Sequence, residues 1–267
     1  IPYVRGTIRS RTPGDIAAEA QRLAEAGYRE MVLTGIHLSS YGRDLADATL
    51  LDAVRAIAGV PGIDRIRLGS LEPVIVNRGF AQALAEIPQV CPQFHLSLQS
   101  GSDTVLGRMR RRYTAAEYHE AARHLQAAFP GCALTTDLMV GFPGETQGEF
   151  EESLAFCRAV GFAKMHVFPF SRRAGTAADK MPGQLPRAVK AQRAREAIAL
   201  SGELSRAYRE RLIGARLRVL FETQDGQEAR GHSPQMIEVK ARGGVPGEMM
   251  DVVITGLEDE GLTGDLC

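Results

Sequence analysis

The sequence contains no tryptophan, and Phe and Tyr bring the aromatic share to only 6% of 267 residues. A hydrophobic content of 44% still leaves ample material for a core. No apolar run approaches the length of a membrane-spanning helix, and no signal-peptide pattern opens the chain. A membrane partner is thereby set aside and a cytoplasmic location expected. There are four cysteines, Cys91, Cys132, Cys157 and Cys267, none within four residues of another. That spacing excludes a local CxxC or CxxxCxxC metal site, and all four read as buried small hydrophobes. The six histidines (His37, His95, His119, His124, His166 and His232) make no HxH or HExxH pattern, and no Ser/His/Asp triad can be argued from their spacing. Lysine is scarce, with only four residues, and none ends a predicted strand, which argues against a Schiff-base aldolase. Net charge is zero, so there is no global electrostatic case for nucleic acid.

The charge that is present is unevenly placed. Residues 108–112 read Arg-Met-Arg-Arg-Arg, and residues 187–216 carry a net +5. From 217 to 267 the balance turns acidic, with four cations against ten anions. The preference for Arg over Lys suits phosphate and base contacts, and follows equally from a GC-rich genome. The chain opens on Ile1 rather than Met, and the expectation is that sequence precedes it.

Helix and strand signals alternate. Thr12-Pro13 starts a helix that Gly27 stops, and Glu30–Gly35 reads as a buried strand. Helices follow over about 49–58, 78–87, 103–128 (broken near Tyr113-Thr114), 148–160 and 186–213. Strands are expected at 66–71, 93–99, 133–141 and 162–170. This is the pattern of a parallel sheet with right-handed crossovers. Polar residues recur at the strand ends: Thr34, Glu72, Gln99, Ser100, Asp137 and Ser171. The carboxyl ends of barrel strands face the active site, so this recurrence favours a barrel with one central site. After residue 214 the pattern changes to short strands punctuated by Gly, Asp and Pro, the signature of a small all-β barrel. The expected domains are 1–208 and 209–267.

Four segments carry candidate chemistry. In residues 32–44, Gly35 allows close backbone approach to a ligand, or is simply a turn. In residues 95–114, Gln99 can bond a ribose hydroxyl, Ser102 or Asp103 can cap a helix, and Arg111 can fork onto a carboxylate. The cations Arg108, Arg110, Arg111 and Arg112 are otherwise a solvated helix face. In residues 135–146, Asp137 is an acid within an apolar strand, a position that needs a partner or a ligand. The turn after it, Gly141–Glu145, is expected to offer free backbone N–H groups. In residues 168–178, Arg172 and Arg173 stand before Gly175, compatible with substrate contact or with solvation.

The runs IPYVRG, VLTGIHLSSYGRD, GSLEP, HLSLQSGSDTVLGRMRRRYT, TDLMVGFPGET and PFSRRAGT, in this order, resemble the methylthiotransferase branch of the radical S-adenosylmethionine (SAM) superfamily. LTGIHLSS with SLEP is most similar to members acting on N6-threonylcarbamoyladenosine in tRNA. The resemblance covers residues 1 to about 180, and the C-terminal segment is similar to a TRAM barrel, a small RNA-binding domain. It implies an α/β fold, a partial (βα)6 TIM-like barrel lacking its first strand, followed by the β-barrel. It also implies SAM and two 4Fe–4S clusters, whose ligands are absent from this sequence, together with tRNA, a reductant and a sulfur donor, acting as a monomer. By the same resemblance Thr34, Gly35, Glu72, Gln99, Arg111 and Asp137 contact SAM, while Arg108, Arg110, Arg112, Arg172 and Arg173 face tRNA. Related activities on isopentenyladenosine tRNA or on a ribosomal-protein aspartate share the scaffold. A binding module without chemistry is the alternative from another class.

Overall fold

A computed structural model describes residues 6–267; Ile1–Arg5, and with them most of the IPYVRG run, lie outside the described residues. The chain sorts into two compact units, one comprising residues up to Leu96 together with Ala121–Cys132, the other Ser97–Glu120 with Ala133–Cys267.

In the first unit, helix α1 spans Pro13–Glu25. Thr12 caps it by accepting the Asp15 N–H at 3.1 Å, and Pro13 occupies the first turn, where no N–H is needed. Strand β1 (Glu30–Leu33) follows, then helix α2 (Leu50–Ala58), whose Thr49 and Asp52 form a reciprocal capping box. Strand β2 (Arg65–Leu68) runs parallel to β1, in register from Glu30↔Arg65 to Leu33↔Leu68. Helix α3 (Arg78–Ala85) is capped by Asn77, and strand β3 covers Gln93–His95. Ala53, Val54, Ile66, Leu71, Leu84 and Phe94 are fully buried, and the Phe94 ring meets Phe129 edge-on at 4.9 Å.

The second unit holds helix α4 (Asp103–Arg108) and the start of helix α5 (Ala115–Ala128), whose residues from Ala121 on belong to the first unit; the two helices are separated at the expected break. The expected cap on α4 is not made. The Ser102 hydroxyl bonds nothing there, and Asp103 Oδ1 instead accepts the Ala115 N–H at 2.6 Å, serving the start of α5. Strand β4 (Ala133–Val140) pairs in parallel with strand β5 (Lys164–Pro169), with helix α6 (Gln147–Val160) between them. Thr146 and Glu149 box the start of α6, and Gly161 ends it in the left-handed region at φ 73°. The long helix α7 (Arg187–Glu210) lies against β5, where Ser201 Oγ accepts the Met165 N–H at 3.0 Å and donates to the Met165 carbonyl at 3.2 Å.

Strands β6 (Arg216–Asp225), β7 (Glu228–His232), β8 (Glu238–Arg242), β9 (Met249–Glu258) and β10 (Gly261–Leu266) close into a barrel in the order β10-β8-β7-β6-β9. Alternate residues point inward, and Leu217, Val219, Phe221, Ala229, Val239, Ala241, Val252, Ile254 and Leu262 make one apolar core. Arg209 ties this barrel to α7, donating through Nη1 to the carbonyls of Asp259 at 2.6 Å and Gly261 at 3.2 Å. The expected class, α/β followed by a small all-β barrel, is what forms. Three cysteines are buried as expected, and burial pushes the Cys157 thiol up to about 12. Cys267 departs from that expectation and is exposed, because the chain leaves β10 there.

Candidate functional site

Thr34, Gly35, Glu72 and Gln99 follow strands, Asp137 lies within β4 and Arg111 follows helix α4, and each unit positions its own. In the first unit, Thr34 and Gly35 follow β1 and are exposed. They help line a cavity of 670 Å³ that also touches Ile8, Ile16, Leu23 and His37. A Cβ on Gly35 would stand 3.9 Å from Leu38, in ordinary contact, so the protein itself does not demand glycine there. Gly69 N–H donates to the Leu33 carbonyl at 2.8 Å, which keeps the ends of β1 and β2 together. Glu72 then opens a 3₁₀ turn over Pro73–Ile75. Its N–H donates to Ser39 Oγ at 2.9 Å, and its Oε2 lies 3.0 Å from His37 Nε2.

In the second unit, Gln99 ends the segment after β3 in the left-handed region at φ 69°, a strained conformation for a side chain of its size. The strand expected over 93–99 is continuous only to His95, and beyond it Leu96 and Gln99 make isolated bridges. The Gln99 backbone is clamped on both sides: its N–H donates to the Asp137 carbonyl at 2.8 Å, and its carbonyl accepts the Met139 N–H at 3.0 Å. Gln99 is only 7% exposed, and its side-chain amide has no hydrogen-bond partner among the described residues. The structure therefore brings Gln99 and Asp137 together on adjacent segments. Asp137 is half-buried rather than buried: Thr135, Asp137 and Met139 share the more open face of β4, while Thr136, Leu138 and Val140 point into the core. The following turn is pinned to α6, where Ser153 Oγ bonds Ser100 Oγ at 3.0 Å and accepts the Gly101 N–H at 3.1 Å.

The basic residues fare differently from one another. Arg108 was expected on the nucleic-acid face, but its guanidinium forks onto Glu149 at 3.0 and 2.7 Å, joining α4 to the first turn of α6. The hydrogen bond from Arg108 holds the Glu149 carboxyl below its usual range. Arg110 and Arg112 are exposed, with Arg110 at φ 58°, and Arg111 is half-buried. Arg172 donates to Asp179 Oδ1 at 2.9 Å and still exposes most of its side chain, while Arg173 is exposed.

The Gly141–Glu145 turn does not present free N–H groups as expected. Gly141 N–H donates to Glu145 Oε2 at 2.6 Å, Glu145 N–H to the Phe142 carbonyl at 2.9 Å, and Gly144 N–H to the Gly183 carbonyl at 2.8 Å. Glu145 is buried, and its Oε2 also accepts Arg193 Nη1 from α7 at 2.7 Å; the Arg193 guanidinium lies over the Phe150 ring. Burial pushes the Glu145 carboxyl up, against the pull of Gly141 and Arg193. Sequence reasoning missed this pair. Its signal was an arginine on the Arg193, Ala194, Ala197, Leu200 stripe of α7, where only core residues belong. It also missed the buried cluster in which Glu30 accepts Arg67 at 2.7 Å and Arg65 at 3.3 Å. There the signal was two arginines at alternate positions of a strand.

Among the described residues no group of three or more His, Cys, Asp or Glu could hold a metal ion, and residues 1–5 contribute no such side chain. The strand ends do fit a small polar organic ligand. Glu72 Oε1 takes no partner among the described residues, and a side chain at Gly35 would meet only Leu38, in ordinary contact.

Parallel strands linked through helices, with polar groups near the strand ends in each unit, are the arrangement of an α/β domain. The chain belongs to the radical SAM superfamily, whose model matches residues 1–157; that superfamily uses SAM and a 4Fe–4S cluster. It is 41% identical over 209 residues to the threonylcarbamoyladenosine tRNA methylthiotransferase MtaB of Bacillus subtilis, covering 78% of this chain and 46% of that protein. It is 36% identical over 277 residues to the tRNA-2-methylthio-N(6)-dimethylallyladenosine synthase of Frankia alni, covering 99% of this chain and 56% of that protein. The chain spans about half the length of these curated relatives. The fold also matches coproporphyrinogen III oxidase (HemN) of Escherichia coli at a TM-score of 0.51 and 14% identity, over 93% of this chain and 62% of that one.

Proposed function

We propose that this chain is the SAM-binding and tRNA-facing part of a tRNA methylthiotransferase that acts on N6-threonylcarbamoyladenosine. The observation that carries this reading is the 41% identity with the Bacillus subtilis enzyme over 78% of this chain. Thr34, Gly35, Glu72, Gln99, Arg111 and Asp137 would hold SAM, which supplies the methyl group and the radical chemistry when bound. Glu72 and Asp137 serve as acceptors for hydroxyl or ammonium donors, the Gln99 amide as a bridge to a ribose hydroxyl, and Arg111 as the carboxylate partner. Arg110, Arg112, Arg172 and Arg173 would meet tRNA phosphates, with Arg108 acting behind them through Glu149. In this reading residues 1–208 form the SAM body and 209–267 an RNA-facing barrel. The enzyme works in the cytoplasm as a monomer, with two 4Fe–4S clusters held outside this sequence and an external reductant and sulfur donor.

The test is nucleoside mass analysis of tRNA from a strain lacking the gene, and from that strain complemented with Gln99→Ala or Asp137→Asn. Loss of the methylthio-threonylcarbamoyl product, unrestored by either variant, is expected. Loss of an isopentenyl-type product alone would sink the substrate assignment. That second reading has its own support in the dimethylallyladenosine synthases that align with 96–99% of this chain at 33–36% identity.

A further inference from the structure

His37 lies in the 32–44 segment with no role read for it there, yet the structure gives its ring two partners. Nε2 lies 3.0 Å from Glu72 Oε2, and Nδ1 meets the hydroxyl of Ser40. Ser40 is buried: it closes the 3₁₀ turn Leu38–Ser40, its N–H donates to the His37 carbonyl at 2.9 Å, and Leu38 is seated in the core. The loop beyond is equally built. Tyr41 OH donates to the Arg11 carbonyl at 2.7 Å, Gly42 N–H donates to Ser10 Oγ at 3.0 Å, and a side chain on Gly42 would run into the Ala48 carbonyl. Glu72 is held from its other side by the bond from its N–H to Ser39.

The consequence is a carboxylate fixed at one oxygen and open at the other. The Glu72 side chain is 33% exposed and that of His37 44%, so the pair stands at the surface of this strand end and not in the core. A glutamate has three rotatable bonds, and one left to itself would have to be ordered by the ligand at the ligand's cost. The chain Ser40–His37–Glu72 does that ordering beforehand. With Nε2 donating to the carboxylate, Nδ1 is left to take the Ser40 hydroxyl proton, which sets the tautomer.

We propose that His37 is a positioning residue. Braced by Ser40, it fixes the Glu72 carboxylate so that Oε1 accepts a hydroxyl or ammonium donor of SAM. This rests on the reading of Glu72 as a SAM contact, and extends it to a residue that does not itself touch the ligand.

The test is equilibrium binding of SAM to the cluster-reconstituted, full-length protein by titration calorimetry, comparing wild type with His37→Ala, His37→Gln, Ser40→Ala, Glu72→Ala and His37→Ala/Glu72→Ala. His37→Ala and Glu72→Ala are each expected to weaken binding about tenfold, the worth of one hydrogen bond to a charged group. His37→Gln keeps an N–H donor and should recover most of the loss. Adding His37→Ala to Glu72→Ala should cost nothing more, because the two act as one unit. Wild-type affinity in His37→Ala beside a weakened Glu72→Ala would overturn the proposal, as would additive losses or a failure of Gln to rescue. Wild-type affinity in Glu72→Ala would instead remove Glu72 from the SAM site and take the positioning role with it. If His37→Ala fails to fold, His37→Gln and Ser40→Ala carry the comparison: near-wild-type binding for the first and a several-fold loss for the second are expected, and the reverse order refutes it.

Discussion

The inward-facing side chains of the five-stranded barrel are all apolar, from Leu217 and Phe221 to Leu262, while its ion pairs (Arg216–Asp251 at 2.7 Å, Arg230–Glu238 at 2.6 Å, Lys240–Glu228 at 2.7 Å) lie on the outer face. The strands of the α/β part bury charge instead. β1 and β2 enclose Glu30 with Arg65 and Arg67, and the turn after β4 encloses Glu145 with Arg193. A closed barrel has no strand edges and a shielded interior, so it stabilises itself with shape and apolar area alone. The α/β strands must hold polar groups beyond their ends in fixed directions. Directional bonds do that where apolar contact cannot, though taking the charges out of water is costly. For Glu30, burial opposes the charged form, but the bonds from Arg67 and Arg65 outweigh it and hold the carboxyl below its usual range.

This contrast can be broken by mutation, and the largest effect is expected at a buried ion. Arg193→Ala strands Glu145 and should cost about 3–5 kcal/mol in urea unfolding. The sign of its pH dependence follows from burial raising the Glu145 pKa in the folded protein. A carboxyl raised in this way contributes stability in acid and loses it as pH rises through the folded value. The deficit of Arg193→Ala should therefore be smaller at about pH 5 than at about pH 8, and Arg193→Ala/Glu145→Gln should lose that dependence. A deficit flat in pH would mean that Glu145 is not the stranded charge. Next comes the barrel core: Leu262→Ala, at 1% exposure, should cost about 2–5 kcal/mol with no such pH dependence. Ser201→Ala removes both bonds to Met165 and should cost about 1–2 kcal/mol, read also as faster hydrogen exchange at the Met165 amide. Arg216→Ala breaks only an exposed pair and should leave the unfolding midpoint unchanged within error. A clear loss there would blur the division between the inner and outer faces of the barrel.

The elements themselves were legible from local signals. Thr12-Pro13 marks a helix start by satisfying backbone groups within a few residues and stands where the sequence pattern placed it, and the helices expected near 49–58 and 148–160 form over Leu50–Ala58 and Gln147–Val160. The switch to two-residue periodicity after 214 likewise announced the barrel. Misreadings arose wherever a side chain had a distant partner. Asp103 serves α5 rather than α4, Arg108 is taken by Glu149, and the Gly144 N–H in the Gly141–Glu145 turn is taken by the Gly183 carbonyl. Periodicity records which face a residue occupies, not which atom across the fold will meet it.

The sequence by itself determined the α/β order, the β-barrel that follows, membership of the superfamily through long motifs, and the identity of the polar residues near the strand ends. These are properties of neighbouring residues and their spacing. Only the tertiary structure decided that His37 braces Glu72, that Gln99 is twisted against Asp137, and which arginines are spent on the fold. Each of those outcomes depends on hydrogen bonds between residues 35 to 48 positions apart, whose distance and angle exist only once the strands and helices have packed.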